Sequence, residues 1–409
     1  MEPRPTGGRD RTVLVSGAGI AGPLVADLLA GNGFDVTVVE VADGVRPGGQ
    51  AVDIRGAART VLDRMGLLDE IRAASLKQRG IADVDRRGRH LTEMTVDLFG
   101  GDGIISEIEI LRGELAEILV RHSRDRGVGY RFGTRIERLD PHEDGVDIIL
   151  SDGTAATFDV VIGADGPHSA TRRMAFGPED RYAHPIGGYM SWFSAGPIAD
   201  LDGWYCMYNE PGGLAASLRP GRTPEHTKAS LAFAAPTPVD YDRRDIAAQK
   251  ALITEKFAGS GWLVPDLLKA ADAADDFYLD ALVQVRMDRW NRGRVAVVGD
   301  AAWCPTPLTG LGTSLAVVGA YVLACELAAQ PGITVAMDRY NSLVRPYVTT
   351  GQRLPPRGMK GYAPGSAAAI RARMLSTRLM VSRPLRGLTK RLMFERADAI
   401  ELPDYPALA

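Results

Sequence analysis

Cysteine is scarce in this 409-residue chain, with only Cys206, Cys304 and Cys325. An odd number at wide spacing fits neither a disulfide framework nor a zinc cluster. A reducing compartment is the default. Metal-ligand spacing is missing too, because the six histidines are scattered, and no metal is expected. Excess charge is lacking: 48 Lys and Arg stand against 51 Asp and Glu, a net of -3. No global basic field exists to hold nucleic acid. The opening segment, 1–11, has no apolar stretch of the signal-peptide kind, so a cytoplasmic location is the expectation. Long apolar runs are nearly absent. Gly312–Ala329 is the longest, and Glu326 interrupts it, which reads as a buried helix rather than a membrane span. The 46 Gly and 25 Pro form no repeat, which removes collagen-like and low-complexity classes. No Gly-x-Ser-x-Gly elbow or Cys/His pair suggests a hydrolase. What remains is a chain that is 45% hydrophobic, enough to bury a core.

The strongest signal opens the chain. Thr12–Ser16 reads as a buried strand, and Gly17-Ala-Gly19-Ile-Ala-Gly22 follows at once. A helical pattern runs from Pro23, with Leu24, Leu28 and Leu29 on one face. A second β-branched strand, Asp35–Val39, ends in Glu40. This strand, glycine turn, helix and strand is the unit that binds dinucleotides. Gly17 permits the turn, Gly19 lets the backbone approach a pyrophosphate, and Gly22 lets the helix pack on the sheet. The pyrophosphate rests on the helix N-terminus. Glu40, 18 residues past Gly22, can accept from a ribose hydroxyl.

Two later stretches narrow the reading. Residues 158–166 form an apolar strand ending in Asp165-Gly166. Residues 294–302 form another, ending in Gly299-Asp300-Ala-Ala. Pro305, Pro307, Gly310 and Gly312 follow, then a long helix. A carboxylate at a strand end can bind a sugar hydroxyl, and a glycine turn at a helix start favours negative charge.

The ordered set Gly-x-Gly-x-x-Gly, Asp165-Gly166, Gly299-Asp300 and Pro-x-x-Gly-x-Gly resembles the single-component aromatic hydroxylases, FAD-dependent monooxygenases of class A. The resemblance runs from about Arg11 to about Gln352. Within that family the chain looks nearest to tetracycline-inactivating and antibiotic-tailoring monooxygenases, through the segment from Arg46 to Arg55. The resemblance implies that the dinucleotide is FAD, with NADPH or NADH as reductant. It puts Gly299-Asp300 on the flavin side and Pro307 to Gly312 beneath the isoalloxazine. Asp165-Gly166 then serves FAD and is implicated in NAD(P)H binding. Arg46 contacts the nicotinamide cofactor, and Asp53 and Arg112 contact FAD; Arg112 also reads as a solvated residue opening a helix. In this chemistry O2 adds to reduced flavin at C4a, and the hydroperoxide transfers OH to an electron-rich carbon. A phenolic, aromatic or polyketide substrate is implied, in a cytoplasmic monomer. A non-oxygenating flavin oxidoreductase and a flavin-containing protein that sequesters its ligand are the alternatives. No residue reads as the catalytic base. Arg55, on the strand near the flavin, is a candidate for binding a substrate anion or steadying the peroxide.

The chain departs from the family where Val41 follows Glu40, Trp303 stands for a common His, and Thr313 or Ser314 stands for a common Asn. Cys304 lies beside them, as an inert side chain or a site for a covalent flavin link. The expected fold is α/β: a three-layer Rossmann-like FAD domain from 1–74, 104–176 and 284–364, and an antiparallel-sheet substrate domain from 75–103 and 177–283. Residues 365–409 form a C-terminal helical segment. Aromatic-rich strands in the large insert offer Tyr189, Trp192, Met207, Tyr208 and Phe233 as pocket-lining residues or as ordinary sheet core. The tail, 370–396, sets Arg371, Arg373, Arg378, Arg383, Arg386, Lys390, Arg391 and Arg396 against Glu395. Ile370, Met374, Leu375, Leu379, Leu385, Leu388 and Leu392 offer an apolar stripe. A helix bracing both domains, peripheral membrane contact and a partner-binding helix all fit this pattern.

Overall fold

A computed structural model of the chain describes residues 11–46, 49–99, 108–382, 384–385 and 400–405. The β-branched strands Thr12–Ser16 and Asp35–Val39 pair in parallel, and Val160–Gly163 and Val295–Val297 extend the sheet on the other side. With Gly129–Arg131 and Asn291–Arg292 at its edges, this sheet has six strands. Helix Ala21–Gly31 packs beneath it, and a three-stranded meander over 136–158 shares a separate apolar cluster with its upper face. Helix, parallel sheet and meander are the three expected layers.

Helix Gly312–Ala329 is apolar all round, and Ser314 to Leu327 are buried without interruption. A helix with no polar face belongs inside a core. It is the one helix among the described residues long and apolar enough to cross a membrane, and here helices Ala21–Gly31 and Ile333–Gly351 pack against it. Trp303 packs edge-on to Trp290 at 4.5 Å and lies against Gly319, where a Cβ would sit 2.3 Å from its ring. Trp303 is therefore a core residue, accommodated by a missing side chain on the central helix.

A seven-stranded sheet takes its strands from 80–95 and 183–285. Its pairings are antiparallel except for Trp204–Glu210 against Gly80–Val84, which run parallel. Those two strands come from separate stretches of the chain, so no hairpin imposes the antiparallel sense. Helices Ile246–Lys256 and Val264–Ala273 cover one face through Ile253, Phe257, Val264 and Leu267. The other face looks toward the six-stranded domain. A ribbon of Ala51–Asp53 and Glu109–Leu111 reaches that face.

The tail helix spans Ala367–Val381. Arg373 donates to Asp83 at 2.8 Å and to Asn209 at 2.9 Å. Arg378 donates to the Leu91 carbonyl at 2.9 Å. Met374 and Thr377 are buried, while Leu375 and Leu379 are exposed, so the covered face is set by 373, 374, 377 and 378 and not by the leucines. The described part of the tail therefore braces the second sheet, through Asp83, Leu91 and Asn209. Arg383, Arg386, Leu388, Lys390, Arg391, Leu392 and Arg396 lie outside the described residues.

Candidate active site

The glycine turn has no spare volume. Gly17 has φ +111°, and a Cβ there would lie 2.5 Å from the Ala164 carbonyl oxygen. A Cβ on Gly22 would lie 1.9 Å from the Gly17 carbonyl oxygen. Glu40 holds the turn from the next strand: its carboxylate accepts from the Ala18 amide at 2.8 Å and the Ala42 amide at 2.9 Å. A carboxylate has about four acceptor positions, so it keeps capacity for a ribose hydroxyl. Arg46, largely exposed, comes within 3.8 Å of Glu40. It therefore sits at the ribose-carboxylate end of the cleft rather than at the Pro307 turn. Pro47 and Gly48 beside it lie outside the described residues.

Arg112 opens helix Arg112–Asp125, and its Nη2 lies 3.1 Å from where a Cβ on Gly19 would be. It also faces Asp300. Burial pushes the Asp300 carboxyl above its usual range, and the Arg112 charge opposes that rise. One guanidinium thus serves both the glycine turn and the strand-end acid. Asp300 begins the short helix Asp300–Trp303 after Gly299, whose φ is +65°.

Asp165 is engaged mainly by its own helix. Its carboxylate accepts from the Ser169 hydroxyl, from the Thr171 amide at 2.9 Å and from the Thr171 hydroxyl at 3.0 Å. It shapes the Gly166 loop by capping Ala170–Phe176. Arg172 on that helix, missed in the sequence, is fully buried and donates to the carbonyls of Ala301 at 2.9 Å and Pro167 at 2.7 Å. It fastens the Asp165 loop to the Asp300 helix. The available signal was an arginine pair, Arg172-Arg173, in the first turn of a capped helix.

Pro307–Thr309 forms a single tight turn that ends in Gly310. Thr306, between two prolines, has φ +74°. For a β-branched residue this costs roughly 1–3 kcal/mol, which the surrounding structure must offset. Asp53 lies against this turn, its Oδ2 being 3.9 Å from where a Cβ on Gly310 would be. Arg55 donates to Asp53 at 2.8 Å, and its amide donates to the Ser314 hydroxyl at 3.1 Å, just past Gly312. Cys304 is buried, and burial drives its thiol well above the usual range. Suppression of the thiolate removes the nucleophile a covalent flavin link needs.

The five aromatic and methionine candidates divide between two faces. Strand register puts Asp83, Met207, Ser217, Ser230, Trp192 and Tyr278 in one row. The Ser217 and Ser230 hydroxyls bond at 2.7 Å within it, and Trp192 stacks on Tyr278 at 5.6 Å. Trp192 therefore faces the Pro307 turn, packing in one cluster with Leu308, while Met207, on the same side of the sheet, packs with Ile81, Met94 and Val381 of the tail helix. Tyr189, Tyr208 and Phe233 point the other way, because side chains alternate along a strand. They belong to the cluster under the helices, where Tyr189 stacks on Phe233 at 5.2 Å. These three line no pocket on the cofactor side.

A buried charge cluster on that same face was also missed. Arg219 ends strand Leu214–Arg219 and pairs with Glu109 of the ribbon. Its guanidinium lies 4.0 Å over the Tyr205 ring. Glu109 stands opposite Asp53 across the ribbon. Desolvation raises the Glu109 carboxyl to about 7, Arg219 and Arg55 opposing and Asp53 adding to the rise. The sequence signal was a single acid inside Ile108-Glu109-Ile110-Leu111, a charge where an apolar strand has no need of one.

These residues fit an FAD. The glycine turn admits a backbone-close anion, Arg112 supplies a cation beside it, and Glu40 and Asp300 offer acceptors to hydroxyls at two separated points. Similarity to known proteins agrees. The family described as FAD binding domain matches residues 10–342. A flavin-dependent monooxygenase from an unknown prokaryotic organism is 39% identical over 342 residues, covering 84% of this chain and 88% of its own. The FAD-dependent monooxygenase asL6 of Sarocladium schorii is 31% identical over 424 residues, covering 97% and 98%. The crystal structure of tetracycline destructase Tet(55) superposes with a TM-score of 0.80 at 35% identity, covering 97% and 99%.

Proposed function

Because the chain belongs to the FAD-binding-domain family of flavin-dependent monooxygenases, we propose that it uses NADPH or NADH and O2 to hydroxylate an electron-rich substrate. The substrate is phenolic or of the polyketide type, tetracycline-like compounds included. The observation that carries this reading is the charged, aromatic face of the second sheet, set against the Pro307–Gly312 turn through Asp53 and Arg55.

When bound, FAD would supply the redox chemistry, namely hydride acceptance and O2 activation. The protein's part is to hold and to exclude. Gly17, Gly19 and Gly22 cradle the pyrophosphate, and Arg112 neutralises it. Glu40 and Asp300 accept from sugar and ribityl hydroxyls, and Asp165 and Gly166 shape the adjoining loop. Asp53 and the turn from Pro307 to Gly312 support the ring end. Trp192, packed in one cluster with Leu308, supplies an apolar wall that keeps water from the reacting centre. Arg46, on the exposed side of Glu40, meets the phosphates of the transient nicotinamide cofactor.

The test is a screen of phenols, enols and tetracyclines for substrate-stimulated NADPH oxidation, with product mass. The expected result is O2 uptake and a product heavier by one oxygen. NADPH oxidation that reduces or dehydrogenates the substrate without oxygen insertion would overturn the monooxygenase assignment. Acid should release the flavin from the purified yellow protein, because burial disfavours the Cys304 thiolate that a covalent link would need.

A further inference from the structure

Arg219 occupies an unusual place. It lies where the second sheet meets the ribbon, yet 17% of its side chain stays accessible, against 4% for Glu109. Glu109 lies behind it, and its Oε2 is buried with no hydrogen-bond partner. The charged and titratable groups around this pair come from three elements. Asp53 ends the ribbon strand opposite and Arg55 follows two residues on, Tyr205 lies under Arg219, and Tyr362 faces it from the short helix Met359–Tyr362. With all four ionised, Glu109 and Asp53 balance Arg55 and Arg219. One proton on Glu109 leaves a single positive charge, which is the complement of a single anion.

We propose that the Glu109–Arg219 pair receives the substrate as an oxyanion, with Arg219 binding the charged oxygen and Glu109 taking up the proton. This rests on the monooxygenase reading and supplies the proton acceptor that the sequence did not reveal. In the step, the O–H bond of an acidic phenol or enol breaks. Its electron pair stays on oxygen, and its proton goes to the Glu109 carboxylate. The resulting oxyanion is a stronger carbon nucleophile than the neutral hydroxyl. Arg219 touches substrate; Glu109 positions Arg219 and stores the proton. A carboxyl already displaced to about 7 by desolvation accepts that proton near neutral pH at little cost. A guanidinium fixed by an aromatic face and a carboxylate presents its remaining N–H groups in a set direction.

The test uses flavin-loaded protein without NADPH, so binding is read apart from turnover. The probes are 4-nitrophenol, whose absorbance distinguishes phenol from phenolate, and its methyl ether 4-nitroanisole. Proton exchange is read by calorimetry in two buffers of different ionisation heat, between pH 6 and 8. The expected result is binding as phenolate, at least about tenfold tighter than the ether, with proton uptake when the phenolate is added from solution. Arg219→Gln should abolish that preference and Arg219→Lys should keep part of it. Glu109→Gln should keep the preference but lose the proton uptake. Equal affinity for the two probes, a phenolate preference that survives Arg219→Gln, or uptake that survives Glu109→Gln would each overturn the proposal. If the phenolate binds as expected but no substrate is ever oxygenated, the monooxygenase reading fails and the oxyanion site stands.

Discussion

The seven-stranded sheet has two faces made from the same strands, and they are built on opposite terms. Under the helices it carries Tyr189, Tyr208, Leu218, Leu231 and Phe233, packed to exclude everything. On the opposite side it carries Asp83, Ser217, Ser230, Arg219, Met207 and Trp192, where charges are paired across elements, Arg219 with the ribbon and Asp83 with the tail helix. Large aromatic residues occur on both, so size and aromaticity do not mark the site. Buried charge does: a sheet face that only packs gains nothing from a desolvated ion pair, and such pairs cost stability unless they serve another purpose.

The largest expected difference between the faces is in stability. Phe233→Ala should cost about 3–5 kcal/mol, as truncation of a buried aromatic does, read as a lower urea midpoint with FAD binding retained. Trp192→Ala, half-buried on the open face, should cost less than half of that and raise the KM for the organic substrate instead. If the two variants lose equal stability, the distinction between the faces is wrong.

The floor beneath the open face is tested next. Asp300→Ala removes an acceptor for an FAD hydroxyl, worth about 1.5–3 kcal/mol when charged, so FAD affinity should fall at least about tenfold in a fluorescence titration. Asp165→Ala should change FAD affinity less, since that carboxylate is spent on the helix from Ala170. Equal losses would mean that Asp165 reaches the cofactor after all.

A pH series addresses the junction at the sheet's edge. His168 lies between Glu179 at 2.8 Å and Asp280 at 2.6 Å. Burial alone would lower its pKa, but the hydrogen bonds to those acids outweigh burial and push it up to about 9. A histidine raised on folding stabilises fully below its unfolded value of about 6.5, and loses that contribution as pH rises toward 9. Wild-type stability should therefore decline across that window, and His168→Gln should flatten the decline. A decline that is unchanged in the variant removes the histidine as its source.

The smallest effect belongs to Arg46. Arg46→Ala should raise the KM for NADPH a few-fold, less at high salt, with FAD occupancy intact. Its 3.8 Å approach to Glu40 supplies the opposite outcome: flavin lost on purification with an unchanged KM places Arg46 in the FAD site.

The dinucleotide turn, both strand-end acids and the Pro307–Gly312 turn were legible because each is a local run whose backbone needs are written in adjacent residues. The second sheet was legible as strands but not as faces. Alternation alone does not say which side is covered by helices supplied later in the chain, at 246–273. Glu109 and Arg219 are 110 residues apart and meet only through the fold. That Asp165 also caps the helix from Ala170, through Ser169 and Thr171, was hidden because it requires coordinates to see. The parallel join of Trp204–Glu210 to Gly80–Val84 was likewise hidden, as no turn connects them.

The fit of Trp303 against Gly319 also constrains how this sequence can change. The indole fills the hollow that the glycine leaves, with no room for even a methyl group at 319. Any lineage that exchanges the tryptophan for a smaller side chain must do so before position 319 acquires a side chain. The reverse order passes through a clash in the middle of the core. Two positions 16 residues apart therefore have a preferred order of substitution, and a chain that has taken up the tryptophan is held there until that residue yields first.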